Sequence, residues 1–205
     1  MPHSAPPRLF HFSDDPSIAT FTPRPVRIPA ERKAGHDWLN GPLVWAIAAE
    51  RQYLYLFPRD CPRILLWRKP DSSPEDLDRW FGASDCAAIA HIEWAWFERM
   101  KAAVLYRYAL PSASFEDLDD AGMWVSRAPV SPLGMETLAD LPAALRAERV
   151  ELRIVESLVP LKGSGPPPCT PAERGCATPR AGPLDPSGRS PAYWQCAPLQ
   201  GSMTA

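Results

Sequence analysis

RLFHFSDDPSIATFTPR, residues Arg8 to Arg24, is the stretch on which the reading of the chain turns. Alternate residues of a strand share a face, so Leu9, His11 and Ser13 point one way and Phe10 and Phe12 the other. A polar pair, His11 and Ser13, thus emerges from an apolar strand. Asp14-Asp15-Pro16-Ser17 breaks that strand. Ile18 and Phe21 resume an apolar pattern at the spacing of one helical turn, which Pro23 and Pro25 cut short.

Working outward, Thr22 to Gly41 reads as a loop rich in charge and proline that carries His36 and Trp38. Leu43 to Ile47, bounded by Gly41-Pro42, is a continuous apolar run that predicts a buried strand. Ala48 to Phe57 holds good helix formers and stops at Pro58, since proline disfavours helix in the residue before it. Ile64 to Trp67 predicts a short strand. Ser73-Pro74-Glu75-Asp76 combines a serine cap, proline in the first turn and acids near the helix N-terminus, so a helix is expected to run to Phe81 and end at Gly82.

Ala90 to Trp96 and Val104 to Leu110 alternate and are rich in aromatic residues, which predicts two further strands. In the first, Ile92, Trp94 and Trp96 share a face. Met123 to Ser126 and Val150 to Val155 read as strands, and Leu138, Leu141 and Leu145 have helical spacing. Helices are too few and too irregularly placed for repeated βαβ units. The expected fold class is α+β, with a mixed or antiparallel sheet and a few short helices.

Composition bounds the organisation. The 205 residues suffice for one core-bearing domain, and 22 basic against 24 acidic residues leave a net charge of -2. That balance provides no field to recruit nucleic acid. Apolar runs such as Leu43 to Ala49 fall short of the roughly 20 residues that span a bilayer, and the N-terminus lacks a basic region followed by an apolar one. Neither secretion nor a membrane partner is expected. Five dispersed cysteines do not form a disulfide framework, so a cytoplasmic location is expected. Nine of the 26 prolines and six of the 11 glycines lie between Gly163 and Ala205. A chain so poor in periodic apolar residues cannot offset the entropy of ordering. The expected organisation is a flexible lead-in at 1–7, one globular domain at 8–161 and a disordered tail at 162–205.

The fingerprints GxGxxG, GxxxxGK[ST], HExxH and GxSxG are absent, which removes the Gly-rich dinucleotide folds, P-loop enzymes, zincins and α/β-hydrolases. Cys61, Cys86 and His91 include no CxxC and no short His pair, so no metal is expected. Cys61, flanked by Arg59 and Arg63, could be activated as a nucleophile, but two prolines and an Asp within seven residues fit a rigid turn better. His11 can equally be a structural, hydrogen-bonded histidine, Ser13 a cap for the following turn, and Glu93 the polar face of a half-buried strand. Trp94, Trp96, Tyr106 and Tyr108 read first as core.

The blocks LFHFSDDPSI, VWAI, YLFPRDCPR, HIEWAW, LYRYALP, FEDL, WVSRAPVSPL and VELRIVESLVPL, from Leu9 to about Leu161, resemble in kind and order those of a small bacterial family of unknown function. That likeness implies no activity. More distantly, LFHFSDDPSIATFTPR is similar to the first motif of the ADP-ribosyltransferase-like superfamily, a His-x-Ser/Thr on the first strand followed by a short helix and Phe-x-Pro. The resemblance implies that His11 meets a ribose hydroxyl of NAD and Ser13 supports the nicotinamide end. It further implies that Tyr53 or Tyr55 forms an aromatic platform. An imidazole and a hydroxyl sharing a face can fix a polyhydroxylated ligand, and an arginine such as Arg59 can hold a pyrophosphate.

The pattern also departs from that superfamily. Phe12 stands where several members have Gly, and the position around MWVSRAPVSPL comparable to the catalytic glutamate is not acidic. Glu93, which shares a face with His91, is the candidate carboxylate; Glu136 and Glu151 come later, in no matching motif. Two functions follow as expectations. One is an ADP-ribosyltransferase-like domain binding NAD or a related nucleotide, and the other a non-catalytic binding or regulatory domain on the same scaffold.

Overall fold

A computed structural model describes residues 5–162 except 27, 28, 33 and 71. All of the expected tail except its first residue, Lys162, lies outside the described residues, as do residues 1–4 of the lead-in.

β1 (Leu9–Ser13) is a central strand of a six-stranded antiparallel sheet. On one side it pairs with β5 (Leu105–Leu110) along its whole length, from Leu9↔Leu110 to Ser13↔Tyr106. On the other it pairs with β2 (Val44–Ala48) only at Leu9↔Ala48 and Phe10↔Ile47. β2 continues to β7 (Met123–Ser126) and β7 to β6 (Glu116–Asp117), while β8 (Gly134–Leu138) closes the far edge beside β5. The order is β6-β7-β2-β1-β5-β8. A smaller sheet has the order β3-β4-β9, in which β3 (Arg63–Trp67) runs antiparallel and β9 (Val150–Val155) parallel to β4 (Ala88–Glu93). The parallel pair requires a crossover. It contains α2 (Trp94–Ala102), β5 to β8 and α3 (Leu141–Ala147), whereas α1 (Pro74–Phe81) joins β3 to β4 and α4 (Val159–Lys162) follows β9.

The alternation in LFHFS is answered on both faces. Phe10 joins Ile47, Leu65, Ala90, Met100 and Leu141 in the main core, which links the two sheets and the helices α2 and α3. Leu9 joins Phe21, Tyr108 and Val130 in a second cluster across the large sheet. Each fully buried Leu or Phe contributes roughly 1.5–3 kcal/mol, so neither face of β1 is free to slip in register. α1 forms as its sequence predicts. Ser73 Oγ accepts from the Asp76 amide at 3.1 Å, Pro74 occupies the first turn, and Gly82 ends the helix at φ +52°.

Three local expectations are corrected. The strand expected over Ala90 to Trp96 stops at Glu93, and Trp94 opens a helix. Trp96 and Met100 lie four residues apart, on one helical face, and with Phe97 they pack into the main core, whereas Trp94 is left 53% exposed. The apolar spacing of Ile18 and Phe21 forms no helix. Phe21 instead makes an isolated bridge with Val130, its amide 2.8 Å from the Val130 carbonyl and its carbonyl 2.9 Å from the Val130 amide. The helix expected over Ala48 to Phe57 is a run of 3-10 turns at Ala49–Tyr55.

Candidate functional site

The large sheet parts between β1 and β2 just beyond Phe10↔Ile47. The Ala49 amide donates to the Arg8 carbonyl at 2.9 Å, which sets the parity of the facing residues: Arg8, Phe10 and Phe12 on one side, Ala49, Ile47 and Trp45 on the other. The main chain of Phe12 therefore turns a donor and an acceptor towards β2, where no residue stands in register with it. A cleft of about 50 Å³ opens here, lined by Phe10, His11, Phe12, Trp45, Ala46, Ile47, Tyr55 and Met123.

His11 spans the gap. Its Nδ1 is 2.8 Å from the Trp45 carbonyl. A carbonyl only accepts, so Nδ1 carries the proton and Nε2 of the neutral ring is left as an acceptor. Burial lowers the His11 pKa below 6.5; the Trp45 hydrogen bond acts the other way, and the Arg59 charge adds to the lowering. The ring also lies against Phe21, centroids 4.6 Å apart. His11 is thus both a structural tie and a member of the cleft lining.

Tyr55 is the aromatic wall. Its ring is within 11° of parallel to Phe12 at 6.2 Å, and its hydroxyl donates to Met123 Sδ at 3.3 Å. Tyr53, the other tyrosine considered, is buried in the main core, where its hydroxyl accepts from Arg51 at 2.7 Å. The 3-10 turns thus separate two residues that the sequence leaves equivalent.

Ser13 is buried and its Oγ accepts from the Asp15 amide at 3.1 Å, which caps the turn leaving β1. Tyr108 fixes the same turn, donating to the Asp15 carbonyl at 2.7 Å and accepting from the Ile18 amide at 3.2 Å. Arg59 grips Asp14 with two bonds, Nε to Oδ2 at 2.8 Å and NH2 to Oδ1 at 2.7 Å, and holds the Asp14 carboxyl below its ordinary pKa.

Glu93 lies on the smaller sheet, outside the cleft lining, with Oε1 accepting from the Leu158 amide at 2.9 Å. Cys61 is fully buried with its thiol pKa pushed up to about 11, chiefly by burial, which is the reverse of nucleophile activation. His91 is buried on β4, where burial first and the Arg153 charge second push its pKa down to about 4. Among the described residues no group of three His, Cys, Asp or Glu could hold a metal, and no helix is long and apolar enough to cross a membrane.

Sequence reasoning named His11 and Tyr55 but missed Phe12, Trp45 and Met123 as cleft residues. Each reads as ordinary strand core; only the early end of the β1–β2 ladder exposes them to a common space. A family model described as "Family of unknown function (DUF6886)" matches residues 10–164. No curated protein and no solved structure matches the chain.

Proposed function

The chain belongs to the family of unknown function DUF6886, and from the geometry of its own residues we propose that it is an ADP-ribosyltransferase-like domain that binds NAD or a related nucleotide in the cleft between β1 and β2. The observation that carries this reading is the parted sheet. It sets the main-chain donor and acceptor of Phe12 beside the flat wall of Tyr55 and Phe12 and the imidazole of His11. A flat carboxamide ring needs one donor, one acceptor and an aromatic surface, and a ribose hydroxyl can donate to an imidazole nitrogen. Nicotinamide riboside has both parts. Ser13 supports this end of the site by fixing the turn after β1.

Binding without efficient glycosidic cleavage is the form of this function that the lining favours. Cleavage generates an oxocarbenium-like ribose that a nearby carboxylate would stabilise. None of the eight lining residues is acidic, and the Glu93 carboxylate accepts from the Leu158 amide on the other sheet. A cytoplasmic setting suits the two described cysteines, Cys61 and Cys86, which are free thiols.

Calorimetric titration with NAD, ADP-ribose and nicotinamide tests the reading. Wild type is expected to bind NAD and nicotinamide, and Tyr55→Ala to weaken both by about tenfold, the scale of one lost aromatic contact of ~1–1.5 kcal/mol. An absence of NAD binding by wild type would remove the proposal. NAD hydrolysis at a rate typical of enzymes, above about 1 s⁻¹, would contradict its non-catalytic form.

A further inference from the structure

Arg32 lies in the connection between β1 and β2. Its guanidinium carbon sits 6.0 Å over the ring of Trp45, a wall of the cleft. Its Nε donates to Asn40 Oδ1 at 3.2 Å. Asn40 is itself locked, accepting from the Ala30 amide at 3.1 Å and donating to the Ala30 carbonyl at 2.8 Å. The Arg32 side chain is therefore held at its neck while both terminal amino groups make no hydrogen bond to a described residue. Of the other arginines near the cleft, Arg8 lies with its guanidinium carbon 5.4 Å over Phe10 and is exposed to solvent, whereas two are engaged by side chains. Arg59 commits Nε and one amino group to Asp14, and Arg107 is shared between Gln52 at 2.5 Å and Glu136 at 2.5 Å.

A half-buried guanidinium with an open fork, oriented by a fixed amide and backed by an aromatic face, has the geometry for bidentate capture of a phosphate. Burial weakens the proton affinity of Arg32 and the Asp120 charge restores part of it, so the ion is both partly desolvated and poorly compensated. An arriving anion would complete it.

We propose that Arg32 is the anion-binding residue of the cleft and holds a phosphate or diphosphate of a phosphorylated nucleotide ligand. The inference deepens the nucleotide-binding reading and rests on it for the identity of the nucleotide. It does not rest on it for the phosphate. It also moves the phosphate contact from Arg59, where the sequence placed it, to a residue with no counter-ion in hydrogen-bonding contact among the described residues.

The test is calorimetry of the full chain with three probes: inorganic pyrophosphate, NAD and nicotinamide. Arg32→Met keeps the apolar stem over Trp45 and removes the fork, and Arg59→Met is the control. Both variants are first checked for an unchanged melting temperature. Hydrogen bonds to charged groups are worth about 1.5–3 kcal/mol, so Arg32→Met is expected to weaken pyrophosphate and NAD by roughly 10- to 100-fold. Nicotinamide is expected to be unaffected, and Arg59→Met to change pyrophosphate affinity less than about threefold, in keeping with an exposed ion pair.

Pyrophosphate binding that depends on Arg32, in a protein that ignores nicotinamide and NAD, would uphold the anion site while removing the nicotinamide reading. No binding of pyrophosphate to wild type would overturn the anion site even if nicotinamide binds. Equal loss of nicotinamide and NAD in Arg32→Met would overturn it too, because the residue would then act by packing on Trp45.

Discussion

Acidification from pH 7 to pH 4 is expected to weaken the fold through His91. The side chain is 4% exposed on the central strand of the smaller sheet, opposite Ile64 on one neighbour and Arg153 on the other. Its Nδ1 has no hydrogen-bond partner among the described residues, and its pKa is lowered from 6.5 to about 4 by burial and by Arg153. The unfolded chain takes up the proton near pH 6.5, whereas the folded chain resists it until about pH 4. In that window the unfolded state binds more protons, so stability falls as pH falls. At 1.36 kcal/mol per pH unit the full difference comes to about 3 kcal/mol, a large share of the 5–15 kcal/mol that holds a domain together. His11 acts with the same sign. Urea denaturation at half-unit steps from pH 7 to pH 4 measures the loss, and His91→Leu isolates it. The variant should lose about 3 kcal/mol less than wild type across the interval. Equal slopes in the two proteins, or an NMR titration that places the His91 pKa near 6.5, would refute the reasoning.

Other consequences are open to equally direct measurement. Tyr108→Phe removes both hydrogen bonds that Tyr108 makes to the turn after β1, so a loss of about 1–2 kcal/mol is expected in urea denaturation; a change below about 0.3 kcal/mol would show that the turn does not need them. Gly122 has φ +78°, and a Cβ there would meet Arg51 Cγ at 2.8 Å, so Gly122→Ala should cost about 1–3 kcal/mol, visible as a lowered melting temperature. An unchanged melting temperature would mean that Arg51 yields without cost. In the native protein at pH 8, a thiol reagent is expected to modify Cys86 well before Cys61, whose thiol is fully buried and titrates near 11; peptide mapping after brief labelling distinguishes the two, and equal modification would contradict the burial of Cys61.

Much of the fold could be read from local chemistry because it is locally determined. The cap of α1, the strand at Met123–Ser126 and the strand at Val150–Val155 each rest on capping, apolar periodicity or β-branched residues within a few positions. The failures have non-local causes. Alternation at Ile92, Trp94 and Trp96 is compatible with a strand, and only the packing of Trp96, Phe97 and Met100 beneath the sheets selects a helix. β8, GMETL, is mostly exposed and has no apolar face to announce it; it is a strand because β5 supplies a ladder. The 3-10 turns decide that Tyr55 faces the cleft and Tyr53 the core. The cleft arises from where a ladder stops, and no single stretch encodes that. Glu93 illustrates the limit from the other side. Its position beside His91 is real, but the two lie on the smaller sheet, away from the parted strands.

The proposed function requires the gap between β1 and β2 to be a ligand site. Nitrogen-15 NMR of the full chain, titrated with nicotinamide and then NAD, tests it most directly. Saturable shifts are expected first at the Phe12 and Trp45 amides, with Ile47 and Met123 following and the β3-β4-β9 sheet still. Unmoved Phe12 and Trp45 resonances at millimolar NAD, or shifts centred on the smaller sheet, would contradict the claim.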